Sequence, residues 1–81
     1  MHEVGIAQDL VKGVLERIES KEVSGEVRKI YVSLGKEMGI TEDSLKFWFE
    51  NSSKDTVLEH VLLEVTLTEG KKIEVNSLEV D

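Results

Sequence analysis

The stretch "LEHVLLEVTLTEGKKIEVNSLEV", residues 58–80, decides what kind of sheet this chain builds. Val61, Leu63, Val65 and Leu67 recur at every second position, the spacing that puts side chains on one face of a strand. The spacing predicts a strand over Leu58–Thr68, then the turn "TEGKK" at 68–72, then a second strand over Lys72–Val80. In that last strand the phase slips, with Ile73 and Val75 on one parity and Leu78 and Val80 on the other. A β-bulge near Asn76–Ser77 returns both pairs to the same side. A short glycine-containing connection between two such runs predicts an antiparallel hairpin.

Upstream, "TEDSLKFWFENS" places Thr41 as an N-cap with Glu42 and Asp43 in the first turn, where the helix dipole favours negative charge. A helix from about Glu42 to Ser52 follows, with Leu45, Trp48 and Phe49 on one face and Phe47 nearly opposite. Before it, Ile30, Val32 and Leu34 alternate with Tyr31 and Ser33, a strand over Val27–Gly35 with one buried face. Further back, Ile6, Ala7, Leu10, Val11, Val14, Leu15 and Ile18 follow helical three-and-four spacing. Gly13 lies inside that helix at a cost of about 1 kcal/mol relative to alanine, from a close neighbour or from simple tolerance. The order α-β-α-β-β predicts an α+β fold, a two-layer sandwich of two helices packed on a small three-stranded mixed sheet, in one domain over 1–81.

The chain has 81 residues, 40% of them hydrophobic, enough for one small core. It contains no cysteine, which excludes disulfides and thiolate zinc sites. Seventeen acidic residues against ten basic ones leave a net charge of −7, with the basic residues scattered. Nucleic acid and anionic membranes are therefore poor partners, and a cation or a basic protein face is the better match. No apolar run approaches the ~18–20 residues of a membrane span, and no basic-then-apolar leader opens the chain, so a cytoplasmic protein is expected.

The chemistry lies in the opening "MHE". Met1 and His2 together offer the α-amine, the deprotonated amide of His2 and the imidazole Nδ1, which close a five-membered and a six-membered chelate ring on one ion. Such a planar nitrogen array suits Ni(II) or Cu(II) better than tetrahedral Zn(II). Glu3 is a candidate fourth ligand. Binding releases protons, so affinity is expected to rise with pH. Because a large residue follows Met1, the methionine and its amine are expected to be kept.

"MHEVGIAQDLVKGVLE" resembles the opening of the HypA/HybF family of hydrogenase nickel-incorporation proteins, which begins Met-His-Glu and continues into a Ser-Ile-Ala-Gln helix start. Here Ile6, Ala7 and Gln8 match, and Gly5 stands where serine is usual. "VRKIYVSLG" is similar to the family's first strand and "SLKFWFE" to its second helix, although the proline usual near Glu42 is missing and Trp48 replaces a small residue. "LLEVTL" and "IEVNSLEV" resemble its last two strands, between which the family carries a zinc-binding insert with two Cys-x-x-Cys pairs. Here only the turn near 68–72 occupies that place, so no zinc is expected. The resemblance implies a nickel metallochaperone of nickel–iron hydrogenase or urease maturation, not an enzyme. It makes Met1, His2 and Glu3 the metal residues, and a HypB-like GTPase and the hydrogenase large subunit the partners.

Other residues have plainer readings beside a functional one. His60 is a candidate additional nickel ligand, with an exposed strand-edge histidine as the favoured reading. Glu59, Glu64, Glu74 and Glu79 read as a solvated sheet face before a divalent-cation patch. Phe47 and Trp48 are a candidate partner surface, with core packing alongside Phe49 as the simpler account. No phosphate loop and no nucleophile paired with a base is present. The second functional reading is an interaction scaffold that keeps the fold without delivering metal, self-associating as a homodimer or binding a partner through the aromatics of the second helix.

Overall fold

The computed structural model describes residues 2–81, the side chain of His2 excepted. The elements are α1 (His2–Glu19), β1 (Val27–Gly35), a single 3-10 turn (Lys36–Met38), α2 (Glu42–Ser52), β2 (Leu62–Thr68) and β3 (Ile73–Val80). Two helices and a three-stranded mixed sheet in the order α-β-α-β-β match the expected fold class.

The predicted bounds of α2 hold, and so does its cap. Thr41 Oγ1 accepts from the backbone N–H of Ser44 at 3.1 Å, satisfying one of the donors that a helix start leaves open. At the other end the Ser53 N–H donates to the Phe49 carbonyl at 3.0 Å. In α1, Gly13 is exposed and a Cβ built there meets nothing within 4 Å, so tolerance and not a close neighbour explains the glycine.

The hairpin expectation does not hold. The strand order is β2-β1-β3, with β1 parallel to β2 in unbroken register from Lys29↔Leu62 to Gly35↔Thr68, and antiparallel to β3. The strands joined by "TEGKK" thus flank β1 and do not touch. Burial accompanies the central place of β1: Ile30, Val32 and Leu34 are at most 1% exposed, whereas β2 contributes only Leu63, 7% exposed, to the buried core and β3 contributes none. The strand whose inward side chains are most fully buried thus stands in the middle of the sheet.

The connection must therefore span two strand spacings, about 10 Å, which residues 69–72 reach comfortably at about 3.3 Å each. It runs as a strap across the end of β1. The Gly35 N–H donates to the Lys72 carbonyl at 2.8 Å, and the Glu37 N–H to the Gly70 carbonyl at 2.9 Å. A Cβ at Gly35 would land on the Gly70 carbonyl oxygen and within 2.9 Å of the Lys72 nitrogen, so only glycine lets the strap lie this close.

The bulge expectation holds. Ser77 faces Tyr31 and Val75 faces Val32, leaving Asn76 unmatched. Ile73, Val75 and Leu78 all pack partly buried against the core, while Val80 remains 42% exposed beyond a second register shift at Arg28. Asn76 also donates to Ser33 Oγ at 2.6 Å, which fixes the bulge to the central strand.

The strand predicted from Leu58 begins at Leu62 instead. Residues 53–61 form successive turns, with Thr56 donating to the Ser53 carbonyl, Glu59 to that of Thr56 and Val61 to that of Leu58. Positive φ at Asp55 (65°) and His60 (75°) breaks any extended run there. Leu58 is fully buried as the anchor of this loop, a role that strand parity does not distinguish from a strand position.

One core joins both layers: Leu10, Val11 and Val14 of α1, Leu45 and Phe49 of α2, and the inward side chains of β1. The start of α1 lies beside Met38 and Ile40, ahead of α2, and its last turns lie beside Ser52 and Thr56, at the end of α2. The two helices thus run side by side in the same direction.

Candidate metal centre at the start of the first helix

α1 begins at His2, so the "MHE" segment leads directly into an eighteen-residue helix. The first N–H groups of a helix have no intrahelical acceptor, and the amide of His2 is among them. A deprotonated amide is an anion at the positive end of the helix dipole, which favours it. Met1 and the side chain of His2 lie outside the described residues; Glu3 is part-buried in the first turn of α1.

Immediately after it, Val4, Gly5 and Ile6 line a hollow of about 720 Å³ with Met38 and Ile40. Ile6 and Leu10 border a second hollow with Ile73 and Val75 at the start of β3. The beginning of α1, the turn after β1 and the strap thus gather at one end of the sheet. The sequence carries the signal for Met38 and Ile40 only weakly, in an apolar pair set between glycines in "GKEMGI".

His60 sits elsewhere. It is exposed in the loop before β2, in a hollow shared with Glu50, Ser53 and Lys54 at the end of α2. α1 is about 27 Å long at 1.5 Å per residue and α2 points the same way, so His60 lies at the opposite end of the molecule from Glu3.

The acidic side chains of the sheet are dispersed. Glu79 accepts from Tyr31 Oη at 3.0 Å, Glu64 stands 4.0 Å from Lys29 Nζ, and Glu59 accepts from the Asp55 N–H at 3.4 Å. Among the described residues no three His, Cys, Asp or Glu side chains come together as a metal cluster. Arg28 has its pKa raised by its hydrogen bonds to Asp81 (3.1 and 2.5 Å), with the charges of Asp81 and Glu26 adding to it. Lys46 is raised by its hydrogen bond to Glu42. Both are exposed surface pairs and contribute little to stability.

Phe49 is buried, whereas Phe47 is 55% exposed, its ring meeting that of Trp48 edge-on at 5.0 Å and 82°. The three aromatics therefore divide, with Phe49 in the core and Phe47 on the surface. No helix among the described residues is long and apolar enough to cross a membrane.

The chain matches the family described as "Hydrogenase/urease nickel incorporation, metallochaperone, hypA" over residues 1–73. It is 38% identical over 71 residues to the hydrogenase maturation factor HypA of Crocosphaera subtropica, covering 88% of this chain and 59% of that protein. The HypA of Trichormus variabilis is 38% identical over 65 residues, 80% of this chain and 54% of the relative. That of Dehalococcoides mccartyi strain BAV1 is 32% identical over 71 residues, again 88% and 59%. The chain thus spans a little over half the length of these relatives, and the family match ends at Ile73, the first residue of β3, just beyond the strap. A match that begins at Met1 and runs through both helices, β1 and β2 makes this chain a member of the HypA family of nickel-incorporation metallochaperones, a family of carriers and not of enzymes.

Proposed function

We propose that this chain binds Ni(II) at its first residues and delivers it during the maturation of nickel–iron hydrogenase or urease. The observation that carries the reading is the family match, which includes Met1, His2 and Glu3. The Met1 amine, the His2 amide and the His2 Nδ1 form the chelate, and Glu3 supplies the fourth ligand or adjusts the site from beside it. Ni(II) is cargo, and a site with few protein ligands at the start of a helix releases its ion without unfolding the core. The positive end of α1 disfavours a dication, so the amide anion and Glu3 offset it, keeping affinity moderate. The absence of cysteine leaves zinc no thiolate site, so delivery here proceeds without a zinc module. A HypB-like GTPase and the hydrogenase large subunit are the partners, in the cytoplasm.

Calorimetric titration of the chain with an unblocked first residue tests this. One Ni(II) per chain is expected, with uptake rising between about pH 6 and 8 as the imidazole and the α-amine lose their protons. His2→Ala or a Gly-Ser extension ahead of Met1 abolishes it. Equal nickel affinity in the extended protein refutes the chelate.

The exposed ring of Phe47 favours a second reading, an interaction scaffold that keeps the fold without delivering metal. That reading requires no nickel uptake by the unblocked chain.

A further inference from the structure

We propose that the free edge of β2 docks a second copy of this chain, the two β2 strands pairing antiparallel about a two-fold axis through Leu63. The inference is independent of nickel, and is tested with a chelator present so that its failure leaves the metal reading untouched.

The two outer edges of the sheet differ. β3 is interrupted by the bulge at Asn76 and carries exposed Glu74 and Glu79, features that discourage edge pairing. β2 has neither bulge nor proline, keeps seven residues in unbroken register with β1, and leaves Leu62 63% and Leu67 49% exposed. An open, regular, apolar edge is a template for another strand.

The occupant follows from the charges above that edge. Glu42, Lys46 and Glu50 along the flank of α2, and Lys54 just beyond its end, alternate in sign at four-residue intervals. Lys46 bonds Glu42 at 2.9 Å, and Lys46 and Glu50 border a hollow with Val61, Leu62 and Leu63. An alternating stripe of this kind is complementary to its own antiparallel copy. Since the middle of the stripe stands beside Leu63, the axis brings Lys46 opposite the partner's Glu50, and Glu42 opposite the partner's Lys54.

The same axis sets the strand register. Leu63 meets the partner's Leu63, Val61 the partner's Val65, and Leu62 the partner's Glu64, which keeps the two Glu64 carboxylates apart. An axis through a residue, and not between two, also leaves both helix layers on one side of a continuous six-stranded sheet. The partner's Leu67 then reaches the hollow of about 430 Å³ bordered by Glu50, Lys54, His60 and Leu62. Such an isologous contact closes at two copies.

Sedimentation equilibrium up to about 1 mM chain is expected to give a monomer–dimer equilibrium. Leu62→Glu, at a surface position that leaves the core intact, sets a carboxylate opposite the partner's Glu64 and weakens it about tenfold, each substitution counting twice across the axis. Lys46→Glu weakens it similarly, and Lys46→Glu combined with Glu50→Lys restores it, a rescue that a general loss of stability does not produce. Circular dichroism verifies that each variant is folded. A chain that stays monomeric throughout, or a dimer indifferent to Leu62→Glu and Lys46→Glu, overturns the proposal. So does a dimer broken by Phe47→Ser alone.

Discussion

At the end of the sheet where α1 begins, the chain is held by backbone, with Gly35, Glu37, Gly70 and Lys72 exchanging main-chain hydrogen bonds where the strap crosses β1. At the opposite end the loop 53–61 is held by side chains. Leu58 is fully buried, Ser53 is 2% exposed, and the Thr56 hydroxyl donates to the Ser53 carbonyl at 2.7 Å and accepts from the Leu58 N–H at 3.0 Å. The first end adds the strap's main-chain bonds to core residues such as Ala7 and Ile40, whereas the second rests on the buried side chains of Leu58 and Ser53.

Substitutions sharpen that contrast. Leu58→Ala removes the side-chain anchor and is expected to cost about 2–5 kcal/mol in urea unfolding, a large share of the stability of so small a domain. Nickel stoichiometry measured on the folded fraction stays at one. Gly35→Ala attacks the backbone-held end and is expected to cost about 1–3 kcal/mol, because its Cβ meets main-chain atoms that no rotamer change removes. A cost within error of zero means that the strap shifts freely and that the backbone does not hold this end.

Thr41→Ala, at the start of α2 and adjoining the nickel end, loses its bond to the Ser44 N–H and about 1 kcal/mol. Gly13→Ala, midway along α1, is expected to gain about 1 kcal/mol or slightly less, read as a rise in the urea midpoint. The smallest effect is expected from His60→Gly, which relieves a left-handed residue and changes stability by only about 0.5 kcal/mol, in the stabilising direction. Nickel uptake is unchanged by it, since His60 lies far from the start of α1. Loss of uptake in this variant would join the two ends that the structure separates.

Much of this molecule is legible in its residues. The Thr41 cap, the span of α2 and the bulge at Asn76 follow from local spacing, because each depends on a few neighbouring residues. Phe47 is legible too, since helical geometry alone turns it away from Leu45 and Phe49. The candidate site divides differently. The proposed "MHE" ligand set is a property of consecutive residues, whereas the neighbourhood of Met38, Ile40 and the strap depends on three distant segments meeting at one end of β1.

The amino-acid sequence by itself determined the order of the elements and most of their inward faces, and it carries the nitrogen donors proposed for the start of the chain. Strand order was decided only by the tertiary structure. Side-chain parity states which face of a strand is buried, but every strand edge offers the same N–H and C=O groups, so parity is silent about neighbours. The arbiter was burial over the whole molecule: the strand with the most deeply buried inward face took the middle of the sheet, and β2 and β3, adjacent in the chain, were placed on either side of it.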